Sequence, residues 1–182
     1  MSIQTSQIAL SLISHTNIGK TTLARTLLRK DIGLVADRAH VTLENQQYTV
    51  LETDAGESLQ LWDTPGFPNC QKILSRLQGA KNPIVRILTE VWDRFRDRPS
   101  WCAQQAVLNV QQEADVVLYL VNAAEEPSMA GYLASELQLL EWIGKPVVVL
   151  LNQTGPPRDR DAWQHLEQPW KDYFVRYGFV RG

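Results

Sequence analysis

The 182-residue sequence is poor in several features, and each shortage removes a class of function. It has two cysteines, Cys70 and Cys102, which fit no metal-ligand spacing. As free thiols they point to a reducing compartment, so a cytoplasmic protein is expected. Charge of one sign is also lacking. Eighteen Lys and Arg against 20 Asp and Glu leave a formal net charge of −2, with no electrostatic footprint for nucleic acid or acidic lipid. No apolar run is long enough to cross a bilayer. The opening residues, MSIQTSQIALSLIS, have no basic segment before an apolar run about one strand long, so they read as a buried strand and not as a signal peptide. Internal repeats and low-complexity tracts are absent. What remains, 44% apolar and 21% charged residues, is ordinary for one globular domain with a real core.

Hydrophobic patterning sets out strands alternating with helices. Ile8–Ile13 is a short apolar run, and a helix-prone stretch follows from about Thr21 to Lys30. Residues 31–42 lack periodicity and read as a loop. QQYTVLE and SLQLWDT flank a TDAG turn, which predicts an antiparallel hairpin. The run Val116–Val121 and the later GKPVVVLLNQ each predict a strand buried on both faces. Between them Tyr132, Leu133, Leu137, Leu140 and Trp142 carry helical spacing, and a last amphipathic helix is expected from about Ala162 to Tyr177. This order predicts an α/β fold: a mostly parallel sheet with one antiparallel strand and helices on both faces. Residues 67–115 leave room for two helices, about Gln71–Leu77 and Pro83–Arg96, or a longer arm. They form a helical insertion in a single domain spanning residues 1–182. The final helix ends near RYGFVRG, where such a plan calls for another strand. The sheet is therefore expected to lack its last strand, and the chain to be cut from a longer protein.

Two motifs carry the chemistry. Ser14 to Thr21, SHTNIGKT, fits Gly-x-x-x-x-Gly-Lys-[Ser/Thr] at every fixed position but the first, where Ser14 replaces glycine. Such a loop wraps backbone N–H groups around phosphates, here from Asn17, Ile18, Gly19, Lys20, Thr21 and Thr22. Lys20 reaches the β- and γ-phosphates, and Thr21 is a ligand for Mg²⁺. Serine is expected to hold the first turn at modest strain. The second motif, LWDTPGF at residues 61–67, places Asp63 at a strand end, where it holds Mg²⁺ through water, and frees Gly66 to bring its N–H against a γ-phosphate.

NIGKT and DTPG together resemble the translation-factor-related GTPases, most closely the Era/TrmE-like branch. Over nearly the whole chain, SHTNIGKTTLARTLLRKDIG, LWDTPGF, VWDRFRDRP and VVLYLVNAAEEP with WIGKPVVVLLNQTG look like the GTPase domain of a bacterial family that carries a C-terminal domain of unknown function. The resemblance implies a three-layer, Ras-like P-loop fold that binds GTP and GDP with Mg²⁺ and works as a molecular switch with slow hydrolysis. It assigns catalytic roles to Lys20, Thr42 and Gly66, with Thr42 the switch threonine that completes Mg²⁺ coordination. Asn17 matches the asparagine that helps bind K⁺ in potassium-activated members; the other reading is an asparagine that tolerates an unusual backbone angle. Asn152 and Gln153 occupy the base-reading motif Asn-Lys-x-Asp, in which Gln153 replaces the lysine and Gly155 the aspartate. Guanine preference is thus inherited by resemblance and weakened by these residues.

The position after Asp-Thr-Pro-Gly, where Ras-like enzymes have a water-orienting glutamine, is Phe67. Intrinsic hydrolysis is expected to be slow, with help from K⁺, a dimer partner, or an arginine such as Arg38, Arg94, Arg96 or Arg98. Trp92, Phe95 and Trp101 lie among mixed charges in the insertion; they read as core or, alternatively, as a surface for a nucleotide-dependent partner or a second copy through the switch regions and residues 83–101. Two further readings stay open: a nucleotide-binding scaffold with little hydrolysis, and an RNA or ribosome-assembly factor by analogy with Era, against which the charge balance argues.

Overall fold

The alternating pattern condenses around one five-stranded sheet in the computed structural model, which describes residues 6–29, 46–67, 69–79 and 98–179. In chain order the elements are β1 (Gln7–Ser14), α1 (Lys20–Leu28), β2 (Gln46–Glu52), β3 (Ser58–Asp63), α2 (Cys70–Gly79), α3 (Arg98–Glu113), β4 (Val116–Asn122), α4 (Leu133–Ile143), β5 (Val147–Asn152) and α5 (Arg160–Arg176). The sheet order is β2-β3-β1-β4-β5. Only the β2–β3 pair is antiparallel; β1 runs parallel to both β3 and β4, and β4 to β5. The TDAG turn closes the hairpin through Gly56 at φ 83°, a left-handed angle that suits glycine.

Strand alternation divides the core in two. Leu12, Leu61 and Leu120 pack with Ile18 and Ala24 on the α1 face. Ile13, Val117, Tyr119 and Val121 point the other way, into a larger cluster supplied by α2, α3, α4 and α5. The predicted helix at Gln71–Leu77 is α2, extended by a few residues. A further helix of the insertion, α3, follows the range of both expected ones. Ala103, Ala106, Val107 and Val110 bury one face of α3, whereas the predicted Pro83–Arg96 helix lies outside the described residues, as do residues 31–42, Trp92, Phe95, Arg38, Arg94 and Arg96.

One expectation is corrected. β5 is not buried on both faces: Val148 is 48% exposed and most of its neighbours are half-buried. Its apolar run looks like that of β4, but β5 stands at the sheet edge among the described residues, where Val147, Val149 and Leu151 pack against the helical cluster only in part. No helix among the described residues is long and apolar enough to cross a membrane.

Candidate functional site

Parallel register brings the carboxyl ends of β1, β3, β4 and β5 to one edge. Ser14 pairs with Leu120, Asp63 with Leu12, and Asn122 with Asn152. The chain leaves β1 through α1 towards β2 and β3 on one side, and after β3 it enters β4 on the other side of β1. The crevice at such a reversal of strand order is where open α/β sheets bind ligands. From Ser14 the chain turns into α1 through positive φ at Asn17 (64°) and Gly19 (99°). A Cβ at Gly19 would lie 3.0 Å from Asn152 Nδ2, so angle and space both require glycine there. Gly19 is also the N-cap of α1 and makes no side-chain cap, which leaves the helix start turned to an anion by its dipole and its first N–H groups.

Four side chains converge at that edge. Lys20 is only 7% exposed. Its ammonium donates to Ser14 Oγ at 2.9 Å and more weakly to the His15 carbonyl at 3.5 Å. Burial lowers the lysine pKa to about 8, partly opposed by the carboxylates of Asp63 and Glu136. Thr21 Oγ1 donates to Asp63 Oδ2 at 2.7 Å. Burial raises the Asp63 pKa, against the Thr21 hydrogen bond and the Lys20 charge. The other carboxylate oxygen, Asp63 Oδ1, is buried without a hydrogen-bond partner. A hydroxyl and a carboxylate side by side, one oxygen unsatisfied, fit a hydrated Mg²⁺ ion: hard oxygen donors, few of them from protein.

The DTPG turn lies directly against this loop. Thr64 Oγ1 donates to the Leu12 carbonyl at 2.5 Å, and the Phe67 N–H to the Ser14 carbonyl at 3.5 Å. A Cβ at Gly66 would fall 3.0 Å from Thr16 Cα and 3.3 Å from Lys20 Nζ, so only glycine lets the two segments touch. Phe67 is 1% exposed and packed into the core. On the far side, Asn152 Nδ2 donates to the Ile18 carbonyl at 2.7 Å, and Gln153 Nε2 reaches the same oxygen at 3.5 Å. Asn152 thereby ties the end of β5 to the phosphate loop. Gly155, at φ 77°, has only Arg158 near its Cβ direction. Asn17 and Thr22 are exposed on the loop and the first turn of α1. The left-handed angle at Asn17 matches the backbone reading of that residue. Thr42 lies outside the described residues.

Motif reading missed a second layer beneath the loop. Glu136 of α4 is 1% exposed. Its Oε1 meets His15 Nδ1 at 3.0 Å, and its Oε2 accepts the Tyr119 hydroxyl at 2.6 Å. The His15 ring stacks on Tyr132, with centroids 4.3 Å apart. Beside it a cavity of about 240 Å³ is lined by His15, Phe67, Asn69, Cys70, Tyr132 and Ser135, among others. The sequence held one signal: Glu136 follows Leu133 by three and precedes Leu140 by four, so an acid stands on the apolar face of its helix.

With that geometry in view, the likeness to known proteins is specific. Residues 9–153 match the family described as 50S ribosome-binding GTPases. GTPase Era of Heliobacterium modesticaldum is 27% identical over 159 residues, which cover 87% of this chain and 44% of that protein. GTPase Der of Stutzerimonas stutzeri is 28% identical over 169 residues, 91% of this chain and 26% of that protein. Among solved structures, Aquifex aeolicus Era bound to GDP and aluminium fluoride superposes with a TM-score of 0.64 at 17% identity, covering 96% of this chain and 49% of that one. Era in complex with MgGDPNP and nucleotides 1506–1542 of 16S ribosomal RNA gives 0.62 at 18%, covering 97% and 49%. These structures share the fold, and the chain spans less than half the length of the relatives named. The match over residues 9–153 makes the chain a member of the 50S ribosome-binding GTPase family.

Proposed function

We propose that this chain binds GTP and GDP with Mg²⁺ and hydrolyses GTP slowly, as the nucleotide-dependent switch of a longer protein. One observation carries the reading: Lys20, Thr21 and Asp63 meet at the carboxyl edge of the sheet, with Gly66 pressed against the loop that holds them. Lys20 neutralises charge on the β- and γ-phosphates, and the backbone N–H groups from Asn17 to Thr22 surround them. Gly66 offers its N–H to the γ-phosphate. Thr21 and Asp63 are the described residues that would hold Mg²⁺, the second through water, and Thr42 completes the set. The bound ion would supply neutralisation of the charge that develops during phosphoryl transfer. Phe67 makes hydrolysis slow, because a buried phenyl ring cannot orient water. The same residue supports a second reading, a scaffold that binds nucleotide with little turnover.

Guanine is the preferred base, held at the Asn152–Gln153 segment, but its margin is reduced because Gly155 lacks the carboxylate that pairs with the guanine N–H groups. A lost contact of that kind removes about 1–3 kcal/mol of discrimination. K⁺ at Asn17 is a further candidate ligand. For RNA, the Era complex with a ribosomal fragment favours binding, whereas a net charge of −2 gives this chain no overall attraction to a polyanion.

A titration with fluorescent GTP, GDP and ATP, each with Mg²⁺, tests the assignment, followed by turnover of the wild type and Lys20→Ala. Tight GTP and GDP binding, weaker ATP binding and turnover lost with Lys20 are expected. Equal affinity for GTP and ATP would remove the guanine assignment. Equal rates for wild type and variant would leave only the scaffold.

A further inference from the structure

The first position of a phosphate loop is ordinarily glycine, which has no side chain. Here it is Ser14, and its side chain is not idle. Ser14 is 0% exposed at the last residue of β1. Its hydroxyl accepts a hydrogen bond from Lys20 Nζ at 2.9 Å and donates one to the His15 carbonyl at 2.6 Å. That carbonyl also lies 3.5 Å from Lys20 Nζ. The hydroxyl therefore closes a small ring between the loop backbone and the ammonium. It thus donates one hydrogen bond and accepts one, and the side chain of alanine or glycine can do neither.

We propose that Ser14 is a positioning residue for Lys20, its hydroxyl holding the ammonium at the place where the β- and γ-phosphates arrive. The proposal rests on the phosphate-binding assignment above and adds to it a residue that the general motif leaves out. The physical case is preorganisation. Lysine has a long stem with many rotamers, and freezing that stem on binding costs affinity. A buried acceptor that fixes the head beforehand lowers the cost, and the ammonium keeps other N–H donors for the nucleotide. Phe67 adds a constraint on the same residue, because its N–H donates to the Ser14 carbonyl at 3.5 Å. The residue that follows DTPG and the lysine head are thus referred to one point.

The test is a double-mutant cycle read as affinity for fluorescent GTP with Mg²⁺, with protein concentration taken high enough to saturate the weakest variant. The proteins are wild type, Ser14→Ala, Ser14→Gly, Lys20→Ala and Ser14→Ala/Lys20→Ala, each checked for folding by its urea midpoint. Ser14→Ala and Ser14→Gly should each weaken GTP binding about tenfold, the scale of one hydrogen bond to a charged group. Once Lys20 is alanine, removing the hydroxyl should change nothing further. If Ser14→Gly binds as tightly as wild type or tighter, serine is merely tolerated and the proposal falls. It also falls if Ser14→Ala weakens binding equally with and without Lys20, since the effect would then come from the turn. In both cases the phosphate-site assignment stands. Undiminished binding by Lys20→Ala would overturn that assignment and the proposal together.

Discussion

A lysine that is 7% exposed carries its charge at a cost, and the pKa of about 8 against 10.5 states the cost as a pH dependence. Between those values the unfolded chain binds more protons at this position than the folded one, so the stability of the protein alone gains from this group as pH rises there. Nucleotide binding has the opposite sign. Phosphates favour the ammonium, so binding takes up a proton above pH about 8 and must weaken as that proton becomes scarce. Affinity for GTP should be flat from about pH 7 to 8 and then decline by up to about tenfold per pH unit. Fluorescence titrations at a fixed Mg²⁺ concentration would read this. Affinity unchanged up to about pH 9.5 would mean that Lys20 keeps its proton throughout that range or does not meet the phosphates. Asp63 cannot produce such a decline: its pKa is raised from 3.8, and loss of a proton from a carboxyl group makes it a better metal ligand, not a poorer one.

Among the elements, α4 carries the consequence that motif reading could not reach. Glu136 joins it to β4 through Tyr119 and to the phosphate loop through His15, a contact that spans 121 positions in sequence. Glu136→Ala leaves the buried Tyr119 hydroxyl without its acceptor and should destabilise the protein by about 1–3 kcal/mol. Glu136→Gln keeps an acceptor for Tyr119 and should lose less. Urea unfolding compares the two, and equal midpoints for both variants and wild type would mean that the carboxylate holds nothing. The same contrast explains which features were legible. β1, β4, α1 and α4 follow from local periodicity, and the phosphate loop and DTPG are contiguous motifs whose geometry is fixed within a few residues. The Glu136–His15 pair requires knowing that α4 packs beneath the loop. The exposure of Val148 requires knowing that β5 ends the sheet. Both are facts of strand and helix order, which an apolar run does not encode.

At the scale of the whole molecule, the sheet order places Lys20, Thr21 and Asp63 on one edge, yet among the described residues the position after DTPG offers no polar side chain to guide an attacking water. Phe67 stands where a polar side chain would orient it, and its ring is committed to the core with Ile73, Val107 and Leu133. Restoring a polar residue there would disrupt packing, so assistance has to come from another group. Asn17 is an exposed polar residue within the phosphate loop itself, and its φ of 64° turns the backbone at that point. A monovalent cation held at Asn17 could offset transition-state charge without any rearrangement of the core. Turnover should therefore be faster in K⁺ than in Na⁺ at equal ionic strength, and Asn17→Ala should remove the difference while leaving GDP affinity within about threefold, because GDP lacks the γ-phosphate on which the charge develops. The comparison is a steady-state phosphate-release assay in the two salts. If K⁺ and Na⁺ give the same slow rate, the stimulating group is left to a protein partner, a second copy of the chain or one of its arginines, and a specific rate that rises with protein concentration would identify the second copy.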